Sequence, residues 1–136
     1  MSREVEQIVP FDPDRHTTWF KHGQIEINAT PFHKKTGKYD YLYFHTRSIK
    51  DGFESDITVG ELAVILSLSS EKANTLSEIS ENFAKWTDGI CEDFGISNKY
   101  VGLKRSNLND YIETLEEKFG FGIIKKVNGP SWRLVE

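Results

Sequence analysis

"IIKKVNGPSWRLVE", residues 123–136, closes the chain and decides how the rest of it is read. It has the composition of a β-hairpin: a β-rich run from Ile123 to Val127, an Asn128-Gly129 turn pair, and a second run from Ser131 to Val135. Lys125 and Lys126 sit on one arm, and Trp132 and Arg133 on the other. The residues just before it change period. In "SNLNDYIETLEEKFG" (106–120), Leu108, Ile112, Leu115 and Phe119 recur at helical spacing. That predicts a helix with Asn107 as its N-cap and Gly120 as its C-terminal stop.

Working further back, two more helices announce themselves. "ITVGELAVILSLSS" (57–70) opens with Thr58 and Glu61, three apart, and "NTLSEISENFAKWT" (74–87) repeats the device with Thr75 and Glu78. Each pair is a capping box, in which hydroxyl and carboxylate satisfy free backbone N–H groups at a helix start. Leu62, Ile65, Leu66 and Ser69 follow the first box; Leu76, Ile79, Phe83 and Trp86 form the stripe of the second. Upstream the period is two. "GQIEINAT" (23–30) alternates Ile25, Ile27 and Ala29 with polar residues, and "KYDYLYFHTRSI" (38–49) is dense in aromatic and β-branched side chains. "HKKTGK" (33–38) reads as the turn between them, and it gathers His33, Lys34, Lys35 and Lys38 into a basic patch. The expected fold is α+β: an N-terminal antiparallel β-sheet, then a three-helix winged helix-turn-helix with a C-terminal β-hairpin wing. The whole chain, 1–136, reads as a single domain, with 1–56 the β-rich part and 57–136 the helices and hairpin.

Three stretches also resemble a known family, the OmpR/PhoB-type winged-helix effector domain of response regulators. The hairpin is similar to that family's wing through Ile124, Lys125, Val127, Gly129, Arg133 and Leu134, with Trp132 where a Tyr is usual. Thr58, Glu61, Leu62, Ile65 and Leu66 are similar to its first helix. Leu108, Ile112, Leu115 and Lys118 supply the frame of its recognition helix, and Trp86 stands where the family often has Trp. The resemblance implies a DNA-binding transcriptional regulator, its third helix in the major groove and its wing on the neighbouring backbone. Two departures stand out. The family joins this domain to a phospho-accepting receiver, and 136 residues leave no room for one, so the chain is expected to be a stand-alone effector. The face of the third helix that should meet DNA carries Asp110, Glu113, Thr114, Glu116 and Glu117, and carboxylates are repelled by phosphates. The alternative is therefore a winged-helix protein-interaction module with DNA binding lost or minor.

The residues expected at double-stranded DNA are Lys104, Arg105 and Asn107 at the start of helix three; Asn109, Tyr111 and Thr114 along it; and Lys125, Lys126 and Asn128 on the hairpin. Tyr111 flanks the core stripe and has packing as its other role. Trp132 is expected to pack in the core. "TDGICEDFGISNKYVGLK" (87–104) reads as a long link between helices two and three and, with the acidic third helix, is a candidate surface for a protein partner. Weak binding by a single module also suggests a homodimer or tandem sites.

Composition sets the outer bounds. The net charge is −4, but its distribution is uneven: residues 1–50 carry eight basic and six acidic side chains, 51–90 two and eight, and 91–136 seven and seven. Any basic face must therefore come from the two ends of the chain. One cysteine, Cys91, allows no internal disulfide. No apolar run approaches the ~18 residues of a membrane span, and the charged N-terminus is no signal peptide, so a cytoplasmic protein is expected. No phosphate-binding Gly loop, nucleophile elbow or metal-ligand spacing appears, so the expectation is no enzyme activity, no cofactor and no metal.

Overall fold

A computed structural model describes residues 19–36, 39–50, 52–95, 105–119, 122–127 and 131–135. The protein is α+β. In chain order its elements are β1 (Trp19–His22), β2 (Ile25–Asn28), β3 (Phe32–Thr36), β4 (Tyr39–Ser48), β5 (Glu54–Thr58), α1 (Val59–Leu66), β6 (Asn74–Thr75), α2 (Leu76–Asp93), α3 (Arg105–Phe119), β7 (Ile124–Val127) and β8 (Ser131–Leu134).

The first five strands make one antiparallel sheet. Its centre is β4, the longest strand. One edge of β4 is taken by β5, from Tyr43↔Thr58 to Arg47↔Glu54. The other edge is shared end to end by β3, from Thr36↔Tyr39 to Phe32↔Tyr43, and β2, from Ile27↔Thr46 to Ile25↔Ser48. Between these registers β2 and β3 carry two residues more than β4 does. Pro31 has no N–H to give a ladder, and Asn28 accepts the Thr30 N–H at 2.9 Å. The local turn absorbs the extra residues and lets one long arm follow β4 twice. Gly23, at φ 64, makes the tight turn from β1 to β2. His33, Lys34 and Lys35 are thus strand residues of β3 rather than part of a basic turn; the β-propensity of neighbouring Phe32 and the pairing surface of β4 outweigh the polar composition.

One face of this sheet supplies the core. Ile25, Ile27, Leu42, Phe44 and Ile57 are buried and pack on α1. α1 is only eight residues long and is buried on nearly every side, from Val59 to Ile65. It is the central element, covered by the sheet, by α2 and by α3. Its capping box forms as the spacing predicts: the Glu61 N–H donates to Thr58 Oγ1 at 3.2 Å and the Thr58 N–H donates to Glu61 Oε1 at 2.8 Å. The second box, Thr75 with Glu78, also forms, at 3.3 and 3.0 Å.

α2 departs from expectation at its far end. It continues through the stretch read as a link and stops at Asp93, where Phe94 is the cap and Gly95, at φ 67, takes the left-handed position that ends the helix. Thr87, Ile90 and Cys91 explain the extension, since all three are buried on the line that Ile79 and Phe83 begin. The remainder of the supposed link, 96–104, lies outside the described residues. Trp86 is not on the buried line: one residue before Thr87 it falls to the flank of the helix, 44 % exposed. α3 begins at Arg105, so Asn107 is its third residue rather than its cap; Arg and Ser before it accept helical geometry readily. Gly120 lies outside the described residues. Leu108, Leu115 and Phe119 of α3 are fully buried.

β6, β8 and β7 form a second antiparallel sheet in that order. The C-terminal hairpin is present as expected, β7 against β8 from Ile124↔Leu134 to Val127↔Ser131. Two residues ahead of α2 add a third strand, Asn74↔Trp132 and Thr75↔Ser131.

The Glu78 carboxyl lies below the ordinary value of 4.5, first because it accepts the Thr75 backbone N–H, then through Asn74, with Lys72 adding attraction and desolvation opposing. A carboxyl lowered by folding contributes stability that is present above its unfolded pKa and lost as pH falls through the folded one. Glu78→Gln is accordingly expected to reduce the dependence of the thermal midpoint on pH below about pH 5 while leaving the cap hydrogen bond in place. A pH dependence identical to that of the parent chain would remove Glu78 from the acid limb.

Candidate nucleic-acid interface

The hairpin is held in place by its core side chains, Trp132 among them as expected, and by hydrogen bonds the sequence does not announce. Trp132 is 2 % exposed and belongs to the core, with Leu134 and Ile124 on the same face. The Leu134 N–H donates to Ser69 O at 2.9 Å, the Val135 N–H to Ile123 O at 2.9 Å, and Arg133 Nη1 to Ser70 O at 3.2 Å. The bonds to Ser69 and Ser70 and the pairing with β6 tie the hairpin to the segment that leads into α2, while the Val135–Ile123 bond closes the hairpin itself. Lys125 and Lys126 stay exposed on β7. Lys126 Nζ lies 5.9 Å from the Trp132 ring centroid, a cation held over an aromatic face with its head toward water. Lys125 stands directly opposite Arg133. Like charges placed opposite one another disfavour the ladder slightly, and an anion between them reverses the sign.

α3 presents two different flanks. Helical spacing sets Asn107, Tyr111 and Thr114 along one line, i, i+4, i+7, with no carboxylate among them. Asn107 is exposed; Tyr111 and Thr114 are half-buried. The Tyr111 ring packs at 5.9 Å on Phe83 of α2, so much of its surface serves the core. Asn109 lies on the opposite flank in line with Glu113 and Glu116, all exposed, and Asp110 and Glu117 crown the outermost face. The structure thus separates the expected base-reading residues: Asn107 and Thr114 share a neutral flank, and Asn109 is set among acids. The acidic outer face expected from the sequence is present in full. Lys104 and Asn128 lie outside the described residues, and for Arg105 only its place as the first residue of α3 is described.

Two further polar clusters were not foreseen. Glu61, buried in α1, takes Lys118 Nζ at 2.6 Å, and the same ammonium donates to Asp56 O at 3.0 Å and lies 6.0 Å from the Tyr43 ring. This pair fastens the last turn of α3 to the first turn of α1 and the end of β5. On the outer face of the first sheet, His45 Nδ1 lies 2.7 Å from Asp56 Oδ1 and Nε2 lies 2.5 Å from Glu54 Oε1. Arg47 beside it bonds Glu26 at 2.7 Å and stacks 4.1 Å over Trp19. Both nitrogens of His45 are engaged by carboxylates, which leaves neither open to a metal or a substrate. Cys91 is buried, and burial, with Asp88 nearby, pushes its thiol up, away from the direction that activates a nucleophile.

Among the described residues, no group of three His, Cys, Asp or Glu could hold a metal ion, and no helix is long and apolar enough to cross a membrane. Comparisons with family models, with curated proteins and with solved structures return no match.

Proposed function

We propose that the chain is a winged-helix DNA-binding transcriptional regulator of the OmpR/PhoB kind, with α2 and α3 as its helix-turn-helix and β7–β8 as its wing. The observation that carries the reading is the placement of the hairpin. It follows α3 directly, is knitted through β6 to the start of α2, and holds Lys125 and Lys126 in solvent. That arrangement supports a wing gripping phosphate next to the groove that α3 enters. In this reading Lys125 and Lys126 neutralise backbone charge, Lys104 and Arg105 hold phosphate near the start of α3, and Asn107 with Thr114 offers hydrogen bonds from the neutral flank. Asn109, Tyr111 and Asn128 have lesser roles, Tyr111 because its ring already packs on Phe83.

The test is fluorescence anisotropy of labelled mixed-sequence duplex DNA at about 50 and 200 mM salt. Binding is expected to weaken steeply between the two. Replacing Lys125 and Lys126 together by Ala is expected to weaken it at low salt and to flatten the salt slope by about two. An unchanged slope would remove the wing from the interface.

A second reading has its own observation. Asp110, Glu113, Glu116 and Glu117 are exposed together on α3, and four carboxylates repel a polyanion whatever else the helix offers. They favour a winged-helix module that docks a basic protein surface. Absence of DNA binding at 50 mM salt, with the protein folded, would select this reading over the first.

A further inference from the structure

We propose that the C-terminal half of α2 is a self-association face, on which a second copy of this chain docks antiparallel so that Trp86 of each copy seats on Gly89 of the other. The inference does not depend on DNA binding and rests on a different element.

Trp86 is one of the few large apolar side chains left well exposed, at 44 %. A lone exposed aromatic needs no explanation, but its neighbour does. Gly89, three residues on and therefore on the same side of the helix, sits inside α2 and not at its end; the helix runs on to Asp93, and Gly95 performs the termination. The backbone of Gly89 does not require glycine, since the positive-φ glycines are Gly23, Gly52 and Gly95. Packing among the described residues does not require it either, because a Cβ there would meet none of them within 4 Å. Glycine in a helix interior is disfavoured against alanine. What its missing side chain provides is room for close approach by something outside the chain.

The occupant that fits is a second copy. A knob and a notch on one helix face are self-complementary: a two-fold axis between Trp86 and Gly89 places each ring on the other copy's notch, residue i on j and j on i, as an isologous interface requires. Charge agrees with the same operation. Lys85 is the one cation of α2, among Glu78, Glu81, Asp88, Glu92 and Asp93. The antiparallel pairing runs Lys85 along the flank of the second copy's Glu92, and the symmetry makes that pair twice. A parallel pairing about a two-fold would put Lys85 and the second copy's Glu92 on opposite flanks of the interface, and the pair would not form. A basic foreign protein would suit the acids of α2 but would leave Gly89 without a reason.

Sedimentation equilibrium of the full chain from about 1 to 200 µM, the range in which a micromolar dimer dissociates, is the experiment. The chain is expected to associate to dimers. Trp86→Ala is expected to weaken association on the order of 30-fold, as loss of a central aromatic anchor does, with unchanged circular dichroism. Lys85→Glu is expected to weaken it, and Lys85→Glu with Glu92→Lys to restore it. Gly89→Ala separates docking from folding, because its two effects have opposite sign: the dilute monomer should melt about 3 °C higher, while dimerisation weakens. A monomer throughout the range would overturn the proposal, as would a dimer indifferent to Trp86→Ala or a swapped pair that fails to recover. Capture of a different protein at Trp86 by a chain that stays monomeric would overturn it too.

Discussion

Replacing Lys118 by Met is expected to destabilise the fold by about 3–5 kcal/mol, the range for removing one partner of a buried ion pair. The effect is large because of what remains behind. The Glu61 side chain is 7 % exposed, and its Oε1 accepts both the Thr58 N–H and the Lys118 ammonium. Without Lys118 the carboxylate keeps one backbone donor and loses its counter-charge in a site that water barely reaches. Asp56 O loses its donor as well. Glu61→Gln in the same chain is expected to recover most of the loss, since the amide oxygen can still accept the Thr58 N–H and no buried charge is left over. Urea unfolding of the parent chain, both single variants and the double variant closes the cycle, with an interaction of about 2 kcal/mol or more expected between the two positions. A cost below about 1 kcal/mol for Lys118→Met would place the pair among ordinary surface bridges. The pair also matters for geometry. It joins α3 to α1 at the end of α3 opposite Arg105, so it fixes that end of the helix together with buried Leu115 and Phe119.

How much of this was legible in the sequence depends on range. The two capping boxes were readable because Thr58 with Glu61 and Thr75 with Glu78 satisfy groups only three residues apart, and both form. The two arms of the hairpin were readable because β-rich runs flanking an Asn-Gly pair in the sequence are also local, and β7 and β8 pair as read. The core stripe of α3 was readable at Leu108, Leu115 and Phe119, all fully buried. What failed was local chemistry outweighed by distant packing. Residues 87–104 read as a link, yet Thr87, Ile90 and Cys91 find the core and carry the helix to Asp93. "HKKTGK" read as a turn, yet β4 offers an edge that draws Phe32–Thr36 into a strand. β6 is only two residues long, and no pattern in two residues could announce a strand whose partner lies near the end of the chain. The ion pair between Glu61 and Lys118 is of the same kind: each residue was visible separately, one as a cap and one as part of a helix, and only the tertiary fold brings them together. The acidity of α3 was plain from the start, whereas its division into a neutral flank and an acidic one needs the helix start at Arg105 and the packing of Tyr111 on Phe83 to be fixed.

Trp132→Ala is the second large effect, with about 3–5 kcal/mol of destabilisation expected, the range for truncating a large buried aromatic. The ring is 2 % exposed and lies on the face of the hairpin that packs with Leu134 and Ile124 into the core. Its backbone pairs with Asn74 on one side and Lys126 on the other, as that of Ser131 pairs with Thr75 and Val127, so it lies where the hairpin meets β6. Removing it leaves a cavity beneath the second sheet and takes away the aromatic face over which Lys126 is held. Against a typical total stability of about 5–15 kcal/mol, a loss of this size should lower the thermal midpoint by more than about 10 °C. The comparison with Lys125 and Lys126 separates two contributions to the proposed DNA binding. Replacing the lysines by Ala should leave the midpoint within about 1 °C, since exposed substitutions change stability little, and should act on affinity through charge alone. Trp132→Ala keeps every charge and, if the hairpin is a wing, should still weaken DNA binding at a temperature where the domain remains folded, because the lysines are then carried by a hairpin that has lost its core anchor and is held by its edge hydrogen bonds alone. If Trp132→Ala lowers the midpoint but leaves the affinity and its salt slope intact, the hairpin contributes to the core and not to the interface. If the midpoint itself is unmoved, Trp132 is not the anchor that its burial and register make it.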